Sequence, residues 1–183
     1  MNRYSLGFLL ALPAIVLGSD WFDGENLLVE PPDAELYDTY TKNEPGWQST
    51  LWQSKAQGGD DTYVVNVVSG KPGSLSKFRK IQDKSGIEAC SEFESEVIDD
   101  SKRNGYKSVL WHTTCKFQGT VISSIQLAIG GRDSLYHVRK LWKIPVSDSE
   151  FQEWKGVISQ ISVCDTRNDK KSCPEGYEKQ QNI

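Results

Sequence analysis

Absences narrow this chain first. It carries only two histidines, His112 and His137, and contains no H-E-x-x-H, no G-x-x-x-x-G-K-[ST] and no C-x-x-C. Zinc hydrolysis, phosphate-loop nucleotide chemistry and dithiol exchange therefore have no motif to rest on. No asparagine opens an N-x-[ST] sequon, which favours a bacterial envelope protein over a eukaryotic secreted one. Positive charge is in deficit: 21 Lys and Arg stand against 25 Asp and Glu, for a formal net charge of −4. That balance argues against a phosphate backbone as partner, so nucleic acid is not expected. The apolar run 6–17 is shorter than the roughly 20 residues a helix needs to cross a hydrocarbon core of about 30 Å.

What that run does fit is a secretory signal. Arg3 precedes it, and Val16-Leu17-Gly18 puts small residues where signal peptidase prefers them, so cleavage is expected before Ser19. Ser19 has no thiol to carry a lipid. Pro13 and the polar sequel are poor supports for an uncleaved anchor, so no stable membrane insertion is expected after cleavage. The reading is a periplasmic or secreted protein divided into a signal at 1–18, a loosely ordered arm at 19–46, one domain at 47–175 and a flexible tail at 176–183. Trp21, Phe22, Leu27, Leu28 and Tyr37 could anchor the arm on a sheet edge.

Four cysteines, Cys90, Cys115, Cys164 and Cys173, follow the signal, and an even number in an oxidising compartment favours disulfides. Neither close pair has the C-x2-4-C spacing of a zinc site. Residues 87–98 alternate Glu88, Glu92, Glu94 and Glu96 with smaller or apolar residues, a strand period, although Ile87, Cys90, Phe93 and Val97 also fit a helical face. If 87–98 and 106–117 form a hairpin with Ile98 opposite Lys107, Cys90 stands opposite Cys115, within disulfide reach. Cys164 then closes a short loop with Cys173.

Strands are expected over 49–56 and 62–68, joined through Gly58-Gly59-Asp60-Asp61. Ser74 can cap a helix carrying Leu75, Phe78 and Ile81 to about residue 84, ended by Ser85-Gly86. After residue 117, turns at Gln118-Gly119 and Gly130-Gly131-Arg132-Asp133 lead into strands 120–129 and 135–144. Ser147-Asp148-Ser149-Glu150 is a capping box for a helix with Phe151, Trp154, Ile158 and Ile161 on one stripe. The β-β-α-β-β-β-β-α order defines a single disulfide-stapled α+β domain with a largely antiparallel sheet packed by helices. That order is similar to the sheet-and-helix layout of the PsbP/Mog1 type.

No residues assemble into a catalytic constellation. Ser134, His137 and Asp133 lie close across a turn but lack a nucleophile elbow. His112 and His137 fall in strands where alternation could put them on a shared surface. Asp165, Asn168 and Asp169 lack the pattern of a calcium loop. The four glutamates suit a solvated strand face, or a site for a basic protein surface, better than an acid and base of separated pKa. Trp111, Trp142 and Trp154 read as core. Trp47 and Trp52, beside the Pro45-Gly46 break, can be core or recognition residues, and Arg132 and Asp133 on the Gly-Gly turn can be turn formers or contacts.

Two functional classes follow. The first is a non-catalytic exported domain that binds another envelope or exported protein, of the inhibitor or immunity type, through Glu88, Glu92, Glu94 and Glu96 or through Trp47, Trp52, Arg132 and Asp133. The second is a small-molecule or ion-binding module with a tryptophan-lined pocket between the sheet and the closing helix. Neither implies a cofactor or a metal, and the oligomeric state is left open.

Overall fold

The computed structural model describes residues 24–70 and 72–174. The signal-like segment 1–18, residues 19–23 of the expected arm and the tail 176–183 lie outside the described residues. Across the rest, β1 (Glu25–Leu28), β2 (Tyr37–Glu44), β3 (Trp47–Ser54) and β4 (Gly58–Ser69) precede helix α1 (Leu75–Ala89). Then come β5 (Glu92–Asp99), β6 (Lys102–Arg103), β7 (Tyr106–Phe117), β8 (Thr120–Gly130), β9 (Ser134–Trp142), helix α2 (Asp148–Gln160), β10 (Ser162–Asp165) and a short 3-10 turn at Asp169–Lys171. The large sheet runs β2-β3-β4-β9-β8-β7-β5 with every pairing antiparallel, β6 beside the start of β7, and β1 pairs separately with β10. This is the single-domain α+β fold with a mostly antiparallel sheet, two helices and two disulfides.

The central strands are those with the strongest alternation. Ile125, Leu127 and Ile129 of β8 and Val138 of β9 are buried on one face, and Trp111 and Ala128 on the other. At the β7–β8 turn, Gln118 and Gly119 both take left-handed backbone, with φ of 49° and 82°. Two such residues match the twist of the flanking strands, and glycine adopts that conformation without Cβ strain. Ser74 caps α1, its hydroxyl accepting from Lys77 N at 3.4 Å, and Ser147 caps α2, accepting from Glu150 N at 3.2 Å. Phe151, Trp154, Ile158 and Ile161 pack into the main core as their stripe implies. Leu75 and Phe78 pack onto the sheet, but Ile81, the third member of the expected α1 stripe, is 67% exposed.

Three expectations change. The segment read as a loose arm supplies β1 and β2 from residue 25 onward, with Leu27 and Tyr37 packed on the core. Edge strands of polar residues such as Tyr37–Glu44 carry little apolar alternation, and main-chain pairing with β3 makes the strand instead. The β3–β4 turn falls at residues 55–57, ahead of the glycine pair, with a register shift at Gln53/Ser54.

The third change concerns residues 87–98, which are neither one strand nor one helix. Ser85-Gly86 does not end α1, which runs to Ala89 with Cys90 as its C-cap, and β5 begins at Glu92. A Cβ on Gly86 would meet the Phe93 ring, so this glycine lets the first strand residues fold back onto the helix that precedes them. The register also differs from the expected hairpin: Phe93, not Cys90, is opposite Cys115, and Val97 faces Trp111 ahead of an irregularity. Cys90 nonetheless bonds Cys115 with Cα atoms 5.5 Å apart, because Ser91 N donates to Lys116 O and brings the helix end beside β7. Cys164 bonds Cys173, with Cα atoms 4.9 Å apart.

Candidate functional site

The sheet has two faces of different chemistry. On one, α2 lies over Tyr63, Val65, Leu110, Ile125, Leu127, Val138 and Trp142. At the interface expected to hold a pocket, Trp142 and Ile158 are fully buried, and Trp154 sits 5.0 Å from the Tyr63 ring. Within it is a buried charge. The Lys140 ammonium pairs with Asp61, donates to Tyr37 Oη at 2.9 Å and lies 4.1 Å from the Trp154 ring centroid. Burial pulls the Lys140 pKa below its usual value, opposed by Asp61, while burial and Asp61 push Tyr37 up.

On the opposite face, α1 packs over β5, β7 and β8. His137 lies under it, edge-on to Phe78, stacked on Trp111 and hydrogen-bonded to Gln126 at 3.1 Å. Burial, assisted by Arg139, depresses its pKa to about 3, so the ring is neutral. Beyond α1 the same face continues across β9, β4, β3 and β2. The register aligns Trp111, Gln126, Arg139, Val64, Leu51 and Tyr40 in one row across the sheet. Trp47 and Val68, a cross-strand pair, share this face, and Lys42 lies 5.4 Å over the Trp47 ring. Tyr40 is 54% exposed and Val68 37%.

Arg139 sits in the middle of that row. Its Nε is buried without a hydrogen-bond partner, and its guanidinium has no ion pair among the described residues. Burial pulls its pKa down. An uncompensated, partly desolvated guanidinium is costly to keep, and a carboxylate brought from outside would offset that cost. Arg139 and Lys140 adjoin in a strand that has no other Lys, Arg, Asp or Glu, so alternation sends one charge into each face. That adjacent pair is the signal from which the two sites could have been read.

The residues expected to act lie in different places. Glu88 is on α1, paired with Lys84, and does not belong to the strand stripe. Glu92, Glu94 and Glu96 line the exposed face of edge strand β5, with Glu92 on Lys116 at 2.8 Å. Three like charges along an open edge disfavour addition of another strand. Trp52 is core, 4% exposed and packed on Tyr63, whereas Trp47 lies half-buried on the open face. Asp133 is held by Arg167, and the Glu25 carboxylate accepts from the backbone N–H groups of Arg132 and Asp133, so this turn is laced to β1. The Arg132 side chain stays exposed.

His112 and His137 face opposite sides of the sheet. His112 packs on Phe151 of α2 and bonds Ser123 at 3.0 Å. Burial lowers its pKa, against the pull of Glu96 and Glu94. His137 is under α1 while Asp133 is engaged at the surface, so Ser134, His137 and Asp133 form no relay. Asp165 accepts from Arg167 and Asn168 Oδ1 caps the 3-10 turn, and among the described residues no group of three or more His, Cys, Asp or Glu could hold a metal ion.

Fold and faces define a small disulfide-stapled α+β protein in which, among the described residues, no helix covers half of one sheet face. No family model matches the chain, and no curated protein matches it. Solved structures similar to it include PsbP (CyanoP) of Synechocystis sp. PCC 6803, at 12% identity and a TM-score of 0.47, over 80% of this chain and 96% of that one. LpqN of Mycobacterium tuberculosis, a protein involved in cell envelope biogenesis, is similar at 9% identity and a TM-score of 0.46, over 76% and 83%. PA94 of Pseudomonas aeruginosa, a protein of unknown function, is similar at 10% identity and a TM-score of 0.43, over 67% and 94%.

Proposed function

We propose that this chain is an exported, non-catalytic binding domain, of the inhibitor or immunity type, that grips another exported protein through the open half of its sheet. The observation that carries the reading is Arg139, a guanidinium without an ion pair among the described residues and with its Nε buried and unbonded, in one cross-sheet row with Val64, Leu51 and Tyr40 and on the same face as Trp47. A row of aliphatic and aromatic side chains beside one desolvated arginine has the residue types of an interface centre, where Trp, Tyr and Arg dominate binding energy. The partner supplies a carboxylate to Arg139. The signal-like layout of residues 1–18 and the two disulfides support an oxidising, exported location.

Native mass spectrometry of the protein purified from its own host, combined with photo-crosslinkers at positions 40, 51 and 87, tests this. A protein-sized adduct is expected, captured from 40 and 51 but not from 87 on the outer side of α1, and lost in Arg139→Glu. Capture from all three positions alike, an adduct indifferent to Arg139→Glu, or the absence of any adduct overturns the reading. Arg139→Met separates binding from folding, because loss of an unpaired charge should leave the fold as stable or more so.

A further inference from the structure

Away from the open half-face, a groove of about 1050 Å3 lies between the N-terminal half of α1, the β5–β6 region, the start of β7 and the β8–β9 turn. Its size is at the upper end of small-molecule sites, roughly 300–1,000 Å3. In a chain of net charge −4, this lining is basic: Arg79, Lys80, Lys102, Lys107 and Arg132 against Asp83 and Asp100. Asp83 is already engaged, by Arg79 at 3.5 Å, by the Ser95 hydroxyl at 2.7 Å and by Trp111 Nε1 at 3.2 Å. The ammonium groups of Lys80, Lys102 and Lys107 have no ion pair or hydrogen bond among the described residues.

Two of these cations are set against each other. Lys102 of β6 and Lys107 of β7 are direct cross-strand partners, an arrangement in which like charges destabilise the pairing. An anion between them removes that repulsion. The groove also has an apolar side, where Leu75 contributes and Val97 stands 41% exposed. A large exposed aliphatic side chain beside unpaired ammonium groups suits a molecule that is charged at one end and apolar at the other.

We propose that this groove binds a small amphiphilic anion, its charged head held by Lys80, Lys102, Lys107 and Arg132 and its apolar portion lying on Leu75 and Val97. The site shares no residue with the open half-face around Arg139, so either can fail alone.

The test titrates the full, disulfide-bonded protein with dodecyl phosphate below its micelle concentration, followed by amide chemical shifts. Inorganic phosphate and dodecyl maltoside serve as the head-only and tail-only comparisons. Dodecyl phosphate is expected to bind at least about tenfold more tightly than either, with shifts centred on Lys102, Lys107 and Arg132 and affinity falling as salt rises. The Lys102→Gln, Lys107→Gln double variant should weaken it about tenfold while its Tm holds or rises, since a repulsive pair has been removed. Should that variant not fold, Lys80→Gln with Arg132→Gln carries the same expectation. Equal binding of dodecyl maltoside, equal binding of inorganic phosphate, unchanged affinity in the lysine variant, or shifts clustered elsewhere each overturns the proposal.

Discussion

Replacing Asp61 by Asn probes how the α2 side of the sheet is held. Lys140 is 0% exposed, and its ammonium is bonded to Asp61 and Tyr37 and boxed by the rings of Tyr37, Trp142 and Trp154 at 5.0, 5.4 and 4.1 Å. Removing one partner of a buried ion pair costs about 3–5 kcal/mol, because the other charge stays desolvated. The three rings continue to attract the cation and offset about 1 kcal/mol of this. A net loss of about 2–4 kcal/mol is a large part of the roughly 5–15 kcal/mol that holds a domain folded. At about 2–4 °C per kcal/mol for a chain of this size, Tm should fall by roughly 5–15 °C. The deficit should also depend on pH. Burial already holds Lys140 below its usual pKa of 10.5, and loss of Asp61 removes the main influence raising it. A base with a depressed folded pKa carries its full penalty below that pKa and sheds it as pH rises toward the unfolded value. Urea unfolding followed by tryptophan fluorescence at pH 7 and pH 9.5 should therefore show the smaller deficit at the higher pH. Adding Lys140→Met to Asp61→Asn should recover most of the loss. A deficit below about 1 kcal/mol at pH 7, or one that grows with pH, refutes the reasoning.

Gly86→Ala separates helix propensity from packing. Propensity alone favours alanine by about 1 kcal/mol, but the new Cβ meets the Phe93 ring, and overpacking costs about 1–3 kcal/mol, so a net loss is expected and a gain in urea stability would contradict the contact. Loss of the Cys90–Cys115 bridge, with its separation of 25 residues, should cost about 3.5 kcal/mol, and loss of Cys164–Cys173, separated by 9, about 2.5 kcal/mol, so equal effects would argue against loop closure as the cause. His137, depressed to about 3, contributes stability that is present above its usual 6.5 and lost as pH falls between these values, with a limiting slope of about 1.4 kcal/mol per pH unit. His137→Gln should flatten the stability profile in that window, and an unaltered slope would show that the ring protonates in the folded state. Arg139→Met should unfold at the same or higher urea concentration than the parent, whereas a large loss would mean that the guanidinium has a structural partner.

The parts of this fold legible in the sequence are those governed by local pattern. The Gln118-Gly119 turn, the Ser74 and Ser147 caps and the Phe151-Trp154-Ile158 stripe depend on residues near one another in the chain, and each forms as its chemistry implies. The cysteine partners follow as well, although by a different route from the expected hairpin. What stayed hidden depends on distant neighbours. Tyr37–Glu44 has no apolar period of its own and becomes a strand because Trp47–Ser54 offers it an edge. Trp52 and Trp47 are close in sequence, yet one is core and the other half-open, because register alone decides which face each takes. The opposed fates of Arg139 and Lys140 follow from the same alternation, but which face carries a carboxylate is settled by Asp61 on β4, paired across the sheet far along the chain.

The small β1–β10 sheet has a consequence for how the chain comes together in time. Glu25–Leu28 pairs with Ser162–Asp165, and Glu25 also fastens the β8–β9 turn. The first of the described strands to emerge from a ribosome thus waits for nearly the last one, with an unanswered edge throughout the interval. The described fold is completed by a clasp, closed only when Glu25–Leu28 and Ser162–Asp165 have both arrived, and the Cys164–Cys173 bridge then locks the later half of that clasp. Truncation after α2 should leave the large sheet assembled but unfastened at β1, open to any extended segment that can take the place of Ser162–Asp165.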